Sequence, residues 1–294
     1  MYELNANNSE SFEKASGVKI SNLYDEIHKL RVNVLTLDNF IDNENLNNLG
    51  LQIYRCLAFD QKFNENRKNC DLYNTDYHEQ LINHGFVKIE NALDVQQLEK
   101  VKNFIKSLDF KTVMHKKSFD LNFHTDVSSN DVLQQIFRLS QGNNSFKLDS
   151  MYLRKVYHDQ FTEQDEDLRQ YNFHVDKFYP NYKVWLYPMD ITEATGPLAF
   201  FKGSHKNTIK KLQWFKQKSL NKDCWGKTWS RLHYNVEDFE EPAKSLGFAE
   251  HIKCIGNANT AFVVDTRMFH RRTPAKKGSL RFSLRAILPR EDIF

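Results

Sequence analysis

The stretch Tyr171-Asn172-Phe173-His174-Val175-Asp176, followed within a few residues by Lys183-Val184-Trp185-Leu186-Tyr187, decides how this chain is read. The second run alternates and is rich in strand formers, so it predicts a β-strand. Side chains two apart on a strand point to one side, which lets His174 and Asp176 grip one ion together. Taken alone, H-x-D is a weak signal. The chain carries its own decoy, Asn122-Phe123-His124-Thr125-Asp126, which runs into the polar, turn-like Val127-Ser128-Ser129-Asn130-Asp131.

A third candidate ligand lies far downstream, His270 in Val263-Val264-Asp265-Thr266-Arg267-Met268-Phe269-His270. Two imidazoles and one carboxylate suit a non-haem Fe(II) ion that keeps open positions for a cosubstrate and O2. His174, Asp176 and His270 are therefore the candidate catalytic and metal residues. Two further segments follow: Gly196-Pro197-Leu198-Ala199-Phe200-Phe201-Lys202-Gly203-Ser204-His205, and Gly278-Ser279-Leu280-Arg281-Phe282-Ser283-Leu284-Arg285, whose Arg281 stands eleven residues after His270. On these residues the chain resembles the phytanoyl-CoA dioxygenase family of Fe(II)/2-oxoglutarate oxygenases. The family's pattern is an H-x-D, a G-P-L segment ending in G-S-H, and a distal His with an Arg eleven positions later. The resemblance covers roughly residues 76 to 294, from His84-Gly85-Phe86-Val87-Lys88-Ile89-Glu90 onward, which is similar to the family's opening strand.

The resemblance implies a mainly β protein with flanking helices (α+β) around a double-stranded β-helix or jelly-roll, cupin-like core. It implies Fe(II), 2-oxoglutarate and O2 as cofactor and cosubstrates. The reaction expected from it is hydroxylation of an unactivated C–H of a small-molecule metabolite, with release of succinate and CO2. Related halogenases replace the carboxylate ligand with a small residue; this chain keeps Asp176, which argues against halogenation. Desaturation, epoxidation and ring closure depend on substrate placement and stay open. Two other classes stay open beside it: a jelly-roll protein that binds a metal or ligand without turnover, and a nucleic-acid demethylase that shares the triad.

The arginine makes chemical sense without the family. A dicarboxylate that chelates iron through its keto-acid end leaves a second carboxylate to be held, and Arg offers a planar, permanently charged fork. Arg281, Ser283 and Arg285 share one strand face while Leu280, Phe282 and Leu284 share the other. Parity does not choose between the arginines. The family spacing favours Arg281 and leaves Arg285 in reserve. Where family members often carry a small hydroxyl residue two positions after the distal His, this chain has Arg272, so Thr273 or Ser283 is expected to supply that contact. Trp185, eleven residues before Gly196, is implied as a wall of the cosubstrate pocket, with a core aromatic as the plain alternative. For His205 the resemblance implies a place near the iron without ligation.

Composition agrees with a soluble intracellular enzyme. Among 294 residues, 41 Lys+Arg against 38 Asp+Glu give a net charge of +3, too balanced to argue for nucleic acid or a membrane surface. Cys56, Cys70, Cys224 and Cys254 are scattered without a C-x-x-C pair, which argues against a zinc ribbon or a disulfide scaffold. The start, Met1-Tyr2-Glu3-Leu4-Asn5, lacks the apolar stretch of a signal peptide, and no run approaches the ~18 apolar residues of a membrane span. A reducing cytoplasm is the expected compartment, and the oligomeric state is not readable.

Along the chain, Leu23, Ile27 and Leu30, then Leu46, Leu49, Ile53 and Leu57, form stripes at helical spacing. Phe63-Asn64-Glu65-Asn66-Arg67-Lys68-Asn69 reads as a polar connector. Asp94 with Gln97 predicts a capping box opening a helix whose Leu98, Val101, Ile105 and Leu108 face inward. His78-Glu79 is followed by His84 six positions on, so the zincin spacing is absent. The expected organisation is a helical extension over 1–75 and the oxygenase jelly roll over 76–294, with a lid-like insertion at about 206–255. In that insertion Lys206, Lys210, Lys211, Lys216, Lys218 and Lys222 interleave with Trp214, Phe215, Trp225 and Trp229. The plain reading is a helix with solvated lysines; the functional one is a lid that helps bind an anionic or aromatic substrate.

Overall fold

Alternation along the strands sorts the chain into two antiparallel sheets. The computed structural model describes residues 3–31, 43–109, 118–158, 171, 173–176, 180–220 and 240–288. The larger sheet has the order β1-β7-β4-β9-β3-β2, built from β1 (Phe86–Ile89), β2 (Ser118–Asp126), β3 (Ser150–His158), β4 (Tyr182–Tyr187), β7 (Thr260–Asp265) and β9 (Ser279–Leu288). The smaller sheet has the order β6-β5-β8, from β5 (Leu198–Phe201), β6 (His251–Lys253) and β8 (His270–Arg272). Most pairings join strands that are not consecutive in the chain, β1–β7, β3–β9, β4–β7, β4–β9 and β5–β8, as in a jelly roll, and the expected fold class holds.

Each face of the large sheet has its own core. Outward-pointing Val184, Leu186, Val263 and Leu284 meet three helices, α5 (Asp76–His84), α6 (Val95–Ser107) and α7 (Asp131–Gln141), through Leu81, Val101 and Phe137. The inward-pointing Trp185, Tyr187, Phe262 and Val264 pack on Leu198 and Phe200 of the small sheet. This period of two separates an apolar outer layer from an inner face that can carry polar groups. Residues Arg281, Ser283 and Arg285 belong to the inner face, because Arg285 lies opposite Trp185 on β4 and Arg281 opposite Val156 on β3.

A third core joins the N-terminal helices to the small-sheet side. Here α1 (Ala6–Ser16), α2 (Ile20–Arg31), α3 (Glu44–Asn48), α4 (Leu51–Arg67) and α8 (Ile209–Ser219) bury Phe12, Leu23, Tyr54 and Leu212 together with Phe173, Val175, Phe201 and Phe269. The helix expected after β1 opens on the Asp94–Gln97 capping box, with Val101 fully buried and Leu98, Ile105 and Leu108 half-buried against the sheet.

Two expectations change. The stretch 63–69 is not a connector: α4 runs through Arg67, because Phe63 and Arg67, four residues apart, both face inward. Arg67 donates to Leu139 O at 3.1 Å and to the Tyr182 hydroxyl, and stacks 4.1 Å over the Phe63 ring. Satisfied this way, an arginine reads as polar in sequence and behaves as core. In the segment expected as an insertion, α8 packs against α1 and α4, and Lys211 is fully buried rather than solvated. A short helix, α9 (Glu240–Ser245), and β6 follow it. Lys222, Cys224, Trp225 and Trp229 lie outside the described residues.

Candidate metal centre

A two-way backbone pairing brings the two imidazoles together. The His174 N–H donates to His270 O and the His270 N–H to His174 O, both at 2.9 Å, and the Asp176 N–H donates to Thr266 O at 3.0 Å. Alternation then turns Phe173 and Val175 into the helical core and His174 and Asp176 to the opposite side. The imidazole centroids are 4.3 Å apart. His174 Nε2 lies 4.0 Å from Asp176 Oδ1, and His270 Nε2 lies 3.7 Å from Asp176 Oδ2. One ligand atom from each of the three residues falls within 4.8 Å of the others, and all three residues are buried.

The surroundings orient these atoms. His270 Nδ1–H donates to Met268 O at 2.8 Å, which leaves the Nε2 lone pair aimed at the centre. Burial pushes the Asp176 carboxyl up, but His270, Lys183 and His174 together pull it down further and hold it below the ordinary carboxylate range. It is an anion at neutral pH. Lys183 Nζ stands 2.5 Å from Asp176 Oδ2, yet that oxygen accepts no hydrogen bond of ordinary angle. Two imidazole nitrogens and an under-satisfied carboxylate oxygen are the donor set that a divalent iron accepts, with positions left open. The residues present fit the group.

Deeper along the inner face of β9, Arg281 is buried and its Nε and Nη1 have no hydrogen-bond partner. Burial lowers its pKa to about 10, Tyr187 beside it opposes the shift and the like charge of Arg272 adds to it. Arg285 is lowered to about 9, by burial first and then by Arg281, Arg154 and Arg272. Its Nε donates to Ser283 Oγ at 3.0 Å, which leaves the buried Ser283 hydroxyl its own proton to donate. Trp185 sits on the same face with Arg285 at 5.9 Å from its ring centroid.

The other expected residues have partners of their own. Thr273 Oγ1 donates to Pro197 O at 2.9 Å, so its proton is spent on the loop that precedes β5. His205 donates through Nε2 to Ile82 O at 3.0 Å and lies against Gly85; burial lowers it to about 3, so it is neutral. His124 and Asp126, the decoy, lie on strand β2 with their side chains exposed. Sequence reading missed Lys183, although its position two residues before Trp185 on an alternating strand puts both on one face.

No protein-family model and no curated protein matches the chain. Solved structures similar to it include the epimerase SnoN in complex with Fe3+, alpha ketoglutarate and nogalamycin RO, 13% identical over 72% of this chain and 81% of its own, with a TM-score of 0.40. EctD from S. alaskensis with bound Fe is 11% identical, covers 74% of this chain and 79% of its own, and has a TM-score of 0.42. The alpha ketoglutarate dependent carbocyclase SnoK is 10% identical over 75% and 84%, with a TM-score of 0.39. At such distances the likeness carries no argument about chemistry. What the site can do follows from its own residues.

Proposed function

We propose that the chain is an Fe(II)- and 2-oxoglutarate-dependent dioxygenase of the phytanoyl-CoA dioxygenase type that hydroxylates a small molecule. The observation that carries this reading is the convergence of His174, Asp176 and His270 from two distant segments onto one buried point. In this reading the three residues hold Fe(II). Bound there, the iron supplies the redox chemistry that couples O2 reduction to the oxidation of 2-oxoglutarate and substrate.

The remaining roles belong to the protein. Arg281 holds the far carboxylate of 2-oxoglutarate, its unpartnered Nε and Nη1 supplying the donors, and Ser283 adds a hydroxyl. Trp185 walls the same cavity, and Thr273 keeps the β8–β9 connection in place through Pro197. Lys183 holds Asp176 ionised and oriented. Residues 1–75 act as a helical backing and 76–294 as the catalytic unit, with a lid-like role for the segment at about 206–255. The cytoplasm is the proposed compartment, which the free, buried Cys56, Cys70 and Cys254 support. Among the described residues, no helix is long and apolar enough to cross a membrane.

Succinate release from 2-oxoglutarate, with and without Fe(II), tests the reading. Metal-dependent succinate above background is expected. A protein that binds iron and never forms succinate with any substrate would instead be a binding module.

A further inference from the structure

Two guanidiniums face the inside of the jelly roll from β9, and one dicarboxylate accounts for only one of them. Arg281 and Arg285 are four residues apart, roughly 13 Å along the strand, with Arg285 at the level of Trp185 on β4 and Tyr152 on β3. Lys183, which contacts Asp176, pairs with Ile287 two residues further along β9. In strand register Arg285 is thus nearer than Arg281 to the level of Lys183. Its Nε is engaged by the Ser283 hydroxyl and its plane lies near Trp185, but among the described residues no carboxylate pairs with it.

The neighbours make this costly. Arg154, Arg272 and Arg281 all repel Arg285, and Asp120, opposite Arg154 on β2, is engaged with Arg154 at 3.1 Å. A partly buried cation set among cations is unfavourable unless an anion meets it. We propose that Arg285, with Arg154 beside it, binds an oxyanion of the substrate itself, a carboxylate or a phosphate. The substrate class is then an anionic small molecule whose charged end lies against Trp185. A guanidinium fork presents two parallel donors to either group, and the aromatic face of Trp185 keeps the fork planar. This inference rests on the assignment of Arg281 to 2-oxoglutarate.

The test is calorimetric titration of the anaerobic protein, loaded with Mn(II) and saturating 2-oxoglutarate, with inorganic phosphate and separately with acetate. One equivalent of one of these anions is expected to bind in the presence of 2-oxoglutarate and to weaken with added salt; which of the two binds tighter distinguishes phosphate from carboxylate. Arg285→Met is expected to weaken that anion at least tenfold while 2-oxoglutarate affinity stays within twofold, and Arg285→Lys to recover only part of it. Asp120→Asn, an exposed change that removes the carboxylate charge paired with Arg154, is expected to strengthen anion binding. Unchanged anion binding in Arg285→Met and Asp120→Asn, or no binding by the wild type, overturns the proposal. Loss of 2-oxoglutarate in Arg285→Met also overturns it, by making Arg285 the cosubstrate's residue. Failure of the parent reading looks different: the wild type then takes up no 2-oxoglutarate at all, before any anion is added.

Discussion

Asp176 is caught between burial, which favours its neutral form, and three neighbouring basic groups that favour its charge. Because the basic groups win, the carboxylate is ready for a cation without first losing a proton. Replacing Asp176 with Ala is expected to cut Fe(II) affinity by more than the 10- to 100-fold typical of a supporting contact and to abolish succinate release. Circular dichroism melts should show the fold retained. Arg281→Ala is expected to weaken 2-oxoglutarate by roughly 10- to 100-fold, in line with the ~1.5–3 kcal/mol of charged hydrogen bonds, and to leave iron binding unchanged. The opposite pattern, with Arg285→Ala costing the cosubstrate, would exchange their roles. His174, Asp176 and His270 were legible because two-residue spacing on a strand is a geometric statement. Lys183 was not, since a lysine on a strand ordinarily reads as solvated, and only the folded chain brings its Nζ to Asp176.

At the level of elements, the turn from α5 into β1 is braced against the segment leading to β8. Gly85 has φ +84°, and an added Cβ there would meet His205 Nδ1 at 2.5 Å and Met268 Sδ at 2.7 Å. Met268 is the residue whose carbonyl orients His270. Gly85→Ala is therefore expected to destabilise by roughly 1–3 kcal/mol from strain and overpacking, and to weaken Fe(II) binding as well; equilibrium denaturation and metal titration measure the two effects. Asp94→Ala makes a useful contrast. It should cost about 1 kcal/mol of stability by removing the cap of α6 and leave metal affinity untouched, because α6 packs on the outer face of the sheet. The capping box was readable from four residues. The end of α4 was not, because the burial of Arg67 depends on Leu139 and Tyr182, which are far away in sequence.

On the scale of the whole molecule, the N-terminal helices share one core with the segment that carries His174 and Asp176, through Phe173 and Val175. A charged network ties them further: Arg267 is doubly bonded to Asp265 and reaches Asp60 on α4 at 2.9 Å. Nothing in the sequence announced it, because the three residues meet only after the sheets form. Removing one partner of such a buried network typically costs about 3–5 kcal/mol, so Arg267→Met should be strongly destabilised in denaturant unfolding. Nearby, Lys211 Nζ donates to Ser204 O and to Arg267 O, the latter at 3.2 Å, and burial lowers its pKa from 10.5 to about 7. Between those values the unfolded chain holds a proton that the folded chain lacks, so this group makes stability rise with pH from about 7 upward, and its penalty is full below pH 7. The stability of wild type relative to Lys211→Met is expected to increase between pH 7 and pH 9; a flat difference would show that the lysine stays charged when buried.

The most direct test of the whole account is anaerobic addition of Fe(II) and 2-oxoglutarate, followed by visible absorption. A weak charge-transfer band is predicted that requires both additions and disappears in His270→Ala. Iron bound by His174, Asp176 and His270 without any such band, or a band that survives in His270→Ala, would contradict it.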